Sequence, residues 1–340
     1  MIAERLAAQL LAGAPALDPV EVTRRILAVQ GQDPRGARLA IRARISGLTA
    51  EDVDRALTVE RSLLITWLNR GTLHLVASED YRWLHALTTP PLFVGNARRL
   101  AQEGVTPSAA ERGVAAVQAA LAGEGPLSRA QLRERVAAAG VPTEGQALVH
   151  VLMLCSLRGL TVRGPMVDGR HSYVLVRDWL GPSAPVDRDR ALAELARRYL
   201  AGHGPAEDRD LARWSGLPLR DARAGLSAIA PQLTERADGL LDIPRARVPG
   251  RLPPPRLLGA FDPVLLGWRS REPLLAGTEP IVTVNGLFRP FALAAGRAVA
   301  TWTLSKGAVA LKPFAPLARE TRDALEADAS DVLRYLGSSS

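Results

Sequence analysis

An internal repeat constrains the fold of this chain more than any other feature of its sequence. Two stretches share one pattern, in which a Gly-Pro pair is followed by a leucine and then by a Gly-x-Pro triplet. The copies are Gly125-Pro126, Leu132 and Gly140-Val141-Pro142, and Gly204-Pro205, Leu211 and Gly216-Leu217-Pro218. Each copy predicts a helix, a glycine-containing turn and a second helix, which is typical of a helix-turn-helix.

The sequence around each copy predicts a winged helix. Around the earlier copy we expect three helices and a hairpin, at 107–121, 128–138, 144–157, 160–163 and 172–176. Around the later copy we expect the same order of elements, at 188–201, 206–214, 218–229, 232–236 and 239–243. Periodicity and turn signals therefore predict the same small domain twice.

A more diverged copy of this unit is predicted at the N-terminus. Its helices are expected at 2–12, 19–29 and 35–44, with a further helix from 49, and its hairpin at 63–67 and 72–76. The turn of that hairpin is Asn69-Arg70-Gly71, and Ser78 begins the helix that leaves the unit. Beyond residue 251, extended segments between glycine turns predict strands at 282–284, 291–293, 299–302 and 309–311, before a helix at 316–329.

The sequence thus predicts an α+β protein with three tandem winged-helix units and a C-terminal antiparallel β domain. The expected boundaries are 1–100, 101–182, 183–250 and 251–340. No apolar run approaches the roughly 20 residues that a membrane helix needs. The N-terminus, with Glu4 and Arg5 in an amphipathic helix, does not resemble a signal peptide, so we expect a cytoplasmic bacterial protein.

Composition narrows the range of functions. The net charge is +8, and Lys306 and Lys312 are the only lysines, so nearly all of the positive charge is arginine. Such a charge favours a polyanionic partner, although the codon bias of GC-rich bacteria produces similar chains. Cys155 is the only cysteine, and the five histidines form no H-E-x-x-H motif. We therefore expect no disulfide, no metal and no cofactor.

One polar segment stands out near the N-terminus. Gln30-Gly31-Gln32-Asp33 is expected at a helix end, and Asp33 before Pro34 is typical of a helix N-cap. Arg35, Arg38 and Arg42 follow at positions i, i+3 and i+7, which places three guanidinium groups on one predicted helical face. This pattern fits an element that contacts DNA phosphates, and it equally fits a polar turn beside a solvated arginine face.

Four motifs show a resemblance to a known family. They are Gln30-Gly31-Gln32-Asp33-Pro34, the stretch from Thr66 to Leu75, the stretch from Phe261 to Arg271, and Asn285 to Pro290. The second and third are long and specific together. On these residues the chain resembles, over nearly its whole length, the AlkZ-like bacterial winged-helix DNA glycosylases, the family that includes the azinomycin-resistance enzyme.

The resemblance implies a function and a site. It implies excision of N7-alkylated purines from duplex DNA, with Gln30 and Gln32 as the catalytic residues and no cofactor. The second glutamine, where relatives of simpler substrate range carry aspartate, implies bulky adducts or interstrand crosslinks from genotoxic natural products. Gly31 departs from the aliphatic residue of the family motif. Asp33 is either the helix cap or a second catalytic group.

Further residues are candidates for DNA contact on the two predicted wings. They are Arg70, Thr72, His74, Arg163, Arg170 and His171. His74 points either towards DNA or into the core, while Trp67 and Trp83 are expected to pack rather than stack on bases. Asp262 and Arg271 are expected to form a structural ion pair.

Two functions fit these features. The first is a monomeric, monofunctional DNA glycosylase, since both lysines lie in the predicted C-terminal domain and no Schiff-base nucleophile is evident. The second is a DNA-binding transcriptional regulator without catalysis. Regulators with winged helices usually dimerise on spaced half-sites, and three unequal units in one chain remove the need for that symmetry.

Overall fold

The computed structural model describes residues 1–12, 18–244, 252–275, 281–283 and 286–337. The chain forms two compact units, one made of Met1–Val53 with Leu192–Ser340 and the other of Asp54–Ala191. We call them the discontinuous unit and the central unit. The helices Ala50–Thr58 and Arg188–His203 contain the two chain crossings between them.

The central unit is built from helices around an antiparallel sheet. Its helices are Tyr81–Thr88, Leu92–Gln102, Pro107–Glu124, Arg129–Ala138, Ala147–Leu157 and Val176–Leu180. Its strands lie side by side in the order Thr72–Ala77, Leu63–Leu68, Thr161–Val167 and Arg170–Leu175. Ile65 pairs with Arg163 across the middle of this sheet, so two hairpins predicted in separate winged helices share one sheet.

The discontinuous unit combines short helices with a second antiparallel sheet. Its described helices are Ile2–Ala8, Pro19–Ile26, Pro34–Arg42, Asp208–Ser215, Leu219–Ala228, Glu272–Leu275 and Arg319–Tyr335. Short strands Thr234–Glu235 and Leu241–Asp242 pair with each other. The larger sheet has the order Ala308–Pro313, Arg297–Ser305, Phe291–Ala294 and Arg256–Leu258.

One core of the discontinuous unit lies between this larger sheet and two helices. Leu39 of the helix Pro34–Arg42 is buried there with Trp302 of the sheet and with Leu325 and Val332 of the last helix. Burying these side chains stabilises the unit by roughly 1.5–3 kcal/mol for each large aliphatic residue. The helix that follows the two glutamines is therefore part of a packed core and not a free surface element.

The predicted α+β class is confirmed, and most predicted elements are present. Asp33 caps its helix as the sequence predicts, and Asp18 and Ser128 cap theirs in the same way, with side-chain oxygens that accept backbone N–H groups. The predicted helix at 2–12 ends at Ala8, because Leu10 adopts a positive φ of 63°. The helix Leu92–Gln102 and the strand Arg256–Leu258 were not predicted, and residue 284 of the expected strand at 282–284 lies outside the described residues.

Among the described residues, no helix is long and apolar enough to cross a membrane.

Candidate active site

The two glutamines lie between two helices of the discontinuous unit. The helix Pro19–Ile26 ends three residues before its predicted end at 29, because Leu27 adopts a positive φ of 69° and turns the chain away. Val29 and Gln30 then form a short buried strand, and only 6% of Gln30 is exposed. Gln32 is exposed. A leucine at positive φ stores backbone strain, and such strain is enriched beside functional sites.

Asp33 acts as the N-cap of the helix Pro34–Arg42, which we call the site helix. Its carboxylate accepts a hydrogen bond from the Arg35 backbone N–H at 3.0 Å, and Pro34 occupies the first helical position. The capping role predicted for Asp33 is therefore confirmed. One carboxylate oxygen is committed to the helix end, where the helix dipole also favours negative charge.

The predicted DNA-facing arginine stripe is wrong at Arg42. Its guanidinium is only 2% exposed and donates to Asp328 at 2.6 and 2.8 Å and to Asp331 at 2.8 Å. Burial disfavours the charged form, but the hydrogen bonds and charges of Asp328 and Asp331 outweigh it and raise the Arg42 pKa. A guanidinium held by two carboxylates inside the fold is not available to phosphate.

The other two members of the stripe differ from each other. Arg38 is also buried, and its guanidinium donates to the Pro34 carbonyl at 2.9 Å, so this side chain turns back along its own helix. Arg35 is exposed. Of the three arginines, Arg35 alone presents its side chain to solvent at the start of the site helix, beside Gln32.

The C-terminal part of the chain holds the site helix through a buried ion pair. Arg44, two residues after the helix, donates to both carboxylate oxygens of Asp262 at 2.9 Å, and both side chains are 0% exposed. Arg44 also donates to Gln9 at 2.9 Å and to the Ala40 carbonyl at 2.7 Å. The predicted Asp262–Arg271 pair is wrong, because Arg271 donates instead to the Leu265 carbonyl at 2.6 Å.

The hairpin Leu63–Ala77 of the central unit decides between the two orientations expected for His74. His74 is buried, and its Nδ1 lies 3.0 Å from the Thr72 carbonyl oxygen. Burial and then the nearby charge of Arg70 lower the His74 pKa to about 3, so the ring is neutral and belongs to the core rather than to a DNA surface. Arg70 and Thr72 are half-buried at the turn, with Arg70 at a positive φ of 59°.

The second hairpin of the central unit carries three predicted DNA contacts, which differ in how exposed their side chains are. Arg163 is half-buried in a strand, with its guanidinium 4.8 Å from the ring centres of both Trp67 and Tyr173. This contact confirms Trp67 as a packing residue. Arg170 at the turn is exposed, and His171 beside it is half-buried. The tip of this hairpin therefore carries one exposed cation, Arg170.

The site residues that the sequence did not predict contact partners that are distant along the chain. Arg44 and Gly36 carry no local signal, since their partners Asp262 and Ala260 lie more than 200 residues away in the chain. Asp262 lies within a motif that the sequence analysis singled out, but with Arg271 as its expected partner. No group of three or more His, Cys, Asp or Glu side chains in the described ranges is arranged to hold a metal ion.

Comparison with known proteins gives one consistent result. The family model described as DNA glycosylase AlkZ-like matches residues 23–335. An interstrand DNA cross-link repair glycosylase of Streptomyces sahachiroi is 26% identical over 338 residues, which cover 93% of this chain and 90% of that protein. The solved structure of the Streptomyces sahachiroi DNA glycosylase AlkZ superposes with a TM-score of 0.80 at 25% identity, over 99% of this chain and 95% of that one.

Proposed function

The chain belongs to the AlkZ-like family of DNA glycosylases, and we propose that it hydrolyses the N-glycosidic bond of N7-alkylated purines in duplex DNA with Gln30 and Gln32 as its catalytic residues. The observation that carries this proposal is the pairing of an accessible Gln32 with a buried Gln30 directly before a capped helix. The regulator alternative is not favoured, since the family and the similar proteins are glycosylases.

The substrate explains why two neutral amides are sufficient. An N7-alkylguanine already carries a positive charge, so its base leaves without protonation by an acid. The remaining tasks are to hold a water molecule and to stabilise the cationic sugar. A glutamine carbonyl oxygen accepts a hydrogen bond from water, and it also places a negative dipole end near developing positive charge.

The two glutamines lie in different structural environments, which suit them to different tasks. Gln30 is buried in a short strand, so its side chain loses little freedom when the lesion binds, which is the advantage of a preorganised dipole. Gln32 is exposed at the start of the site helix, where substrate and water have access. We assign water positioning to Gln32 and electrostatic support to Gln30, with Asp33 in a capping role.

We extend the proposal to the architecture and to DNA binding. Three winged-helix units and a C-terminal β domain, divided near residues 100, 182 and 250, would each present basic side chains to one DNA duplex bound by a monomer. The accessible arginines Arg35 and Arg170 are the proposed phosphate contacts, and the half-buried Arg70, Thr72, Arg163 and His171 support them.

The natural lesion is proposed from the similar protein of Streptomyces sahachiroi, whose name describes interstrand DNA cross-link repair. We propose that this chain also accepts bulky N7 adducts or interstrand crosslinks made by a genotoxic natural product. An N7-linked crosslink presents the same cationic leaving group as a methylated base. The chemistry at the sugar is therefore unchanged, and only the space around the base has to be larger.

The test is release of N7-methylguanine from methylated duplex DNA under single-turnover conditions. Gln30→Ala and Gln32→Ala should each lower the rate by about 100-fold or more, as removal of one transition-state hydrogen bond does elsewhere. Gln102→Ala, which changes an exposed glutamine at another helix end, should keep the wild-type rate. Full release by the double variant would refute the glutamine mechanism. Binding to one specific operator without any release would support the regulator.

A further inference from the structure

A short backbone segment from the C-terminal half lies directly against the site helix. We call residues 258–262 the clasp segment. A Cβ built on Gly36, in the first turn of the site helix, would lie 2.5 Å from the Ala260 carbonyl oxygen. A Cβ built on Gly259 would lie 2.9 Å from the Gly36 Cα and 3.1 Å from the Leu39 Cβ. The two backbones touch at a point where both residues are glycine.

The same segment is also hydrogen-bonded to the other end of the site helix. Asp262, the last residue of the clasp segment, accepts two hydrogen bonds from Arg44, which follows the helix by two residues. Arg44 also binds the Ala40 carbonyl in the last turn. A nine-residue helix is about 13 Å long, so two contacts at its opposite ends fix both its position and its tilt.

Strain is concentrated between these two contacts. Phe261 adopts a positive φ of 59°, which is costly for a residue with a bulky side chain. This conformation turns the chain between Ala260, which meets the first turn of the helix, and Asp262, which meets Arg44. The fold therefore keeps an unfavourable backbone conformation at Phe261, the residue between the two contacts with the site helix.

From this geometry we propose that the clasp segment positions the site helix for catalysis, with Gly36, Gly259, Arg44 and Asp262 as positioning residues for Gln32. The inference rests on the proposed function. Gly36 lies four residues after Gln32, and the intervening residues are the helix cap and first turn. A displacement of that turn should therefore move Gln32 by a similar distance.

The expected effect follows from distances. A real Cβ essentially never approaches another heavy atom closer than 3.0 Å, so Gly36→Ala has to move the first turn by about 0.5 Å or more. A misplacement of about 1 Å in an active site can lower a rate by about 100-fold. We expect Gly36→Ala to lower the single-turnover rate by about 10- to 100-fold and the affinity for DNA by much less, since Arg35 is the only proposed phosphate contact in the displaced turn.

Gly123→Ala is the matched control. Gly123 lies within the helix Pro107–Glu124 and has no heavy atom within 4 Å of its Cβ position. Both substitutions favour a helical backbone, because alanine is the better helix former. The measurements are the rate at saturating enzyme on N7-methylguanine duplex, the enzyme concentration at half-maximal rate, and the melting temperature. Gly123→Ala should match the wild type in the rate and in the enzyme concentration at half-maximal rate, with a melting temperature that is equal or slightly higher.

The outcomes separate the two proposals. If the wild type releases no base, the proposed function fails. If the wild type is active and Gly36→Ala reacts at the same rate, the positioning role alone is refuted. A rate that falls only in proportion to the folded fraction also refutes it. If Gly36→Ala unfolds at the assay temperature, Gly259→Ala displaces the same turn by a smaller amount, because its Cβ would lie 2.9 Å from the Gly36 Cα. A smaller fall in rate is then expected, and a wild-type rate for that variant overturns the inference.

Discussion

The substitution Asp262→Ala should destabilise the discontinuous unit strongly. It removes the carboxylate that accepts two hydrogen bonds from Arg44 and leaves that guanidinium fully buried. Breaking a buried pair from one side costs about 3–5 kcal/mol. The same carboxylate accepts the Val264 backbone N–H at 3.0 Å, and loss of such a cap adds about 1 kcal/mol. We therefore expect a loss of about 4–6 kcal/mol.

Asp238→Ala provides the control. Asp238 pairs with Arg236 at 3.3 Å, but this carboxylate is 46% exposed, and pairs of this kind contribute about 0–1 kcal/mol. Urea unfolding followed by tryptophan fluorescence measures both losses, because Trp268 and Trp302 lie in the unit that contains Asp262. A double-mutant cycle with Arg44→Met then isolates the coupling between the two side chains.

The same double-mutant cycle tests a second expectation. Arg44→Met with Asp262→Ala should be more stable than Asp262→Ala alone. The double variant removes the Arg44 charge, which the single variant leaves buried without its carboxylate. Equal losses for Asp262→Ala and Asp238→Ala would show that the buried pair is not formed in solution. No recovery in the double variant would show that the loss comes from the cap or from packing.

Three other measurements test separate parts of the structure. Because burial and Arg70 lower the His74 pKa to about 3, the unfolded chain binds a proton that the folded chain does not between about pH 6.5 and 3. Stability should fall as the pH drops through this window, and His74→Gln should remove about one proton from the slope; an unchanged slope would contradict a buried neutral ring. Arg170→Gln should reduce the salt dependence of DNA binding by about one phosphate contact, while Arg319→Gln, 93% exposed on the last helix, should not; equal changes would contradict a specific contact at the hairpin tip. Neutral hypoxanthine should be released from duplex DNA at least about 100-fold more slowly than N7-methylguanine, because general acid catalysis contributes about that much or more, and comparable rates would require an acid that the glutamine mechanism lacks.

Local signals predicted the helices well and long-range partners poorly. Ser128 and Asp33 mark the starts of their helices, because a cap forms hydrogen bonds only with residues up to three positions later in the sequence. Arg42 looked like a DNA contact for the same reason. Its spacing is local, but its burial is decided by Asp328 and Asp331 almost 300 residues later. Only the tertiary fold brings these two carboxylates to Arg42, so the spacing of the three arginines could not predict their contact.

The shared sheet of the central unit shows the same limit for strands. Each hairpin was predicted from alternation and turn residues, which are properties of one segment. Pairing between them depends on the single register match of Ile65 with Arg163. Because the partner that a strand takes from another hairpin is not encoded in its own alternation, the sequence predicted both hairpins but placed them in different winged helices.

The candidate site was predictable only in part, for a chemical reason. Glutamines do not titrate, so neither pKa nor metal preference distinguishes Gln30 and Gln32 from other polar residues near a helix, and the family resemblance was needed to select them. Asp33, the group that sequence reasoning would choose first as a base, has one oxygen engaged at the helix end. A catalyst for a cationic leaving group needs no base of high pKa, because bond breaking runs ahead of attack by water. In the proposed mechanism, the carboxylate that caps the site helix contributes through geometry, since it orders the turn between Gln32 and Gly36, next to the two glutamines proposed as catalytic residues.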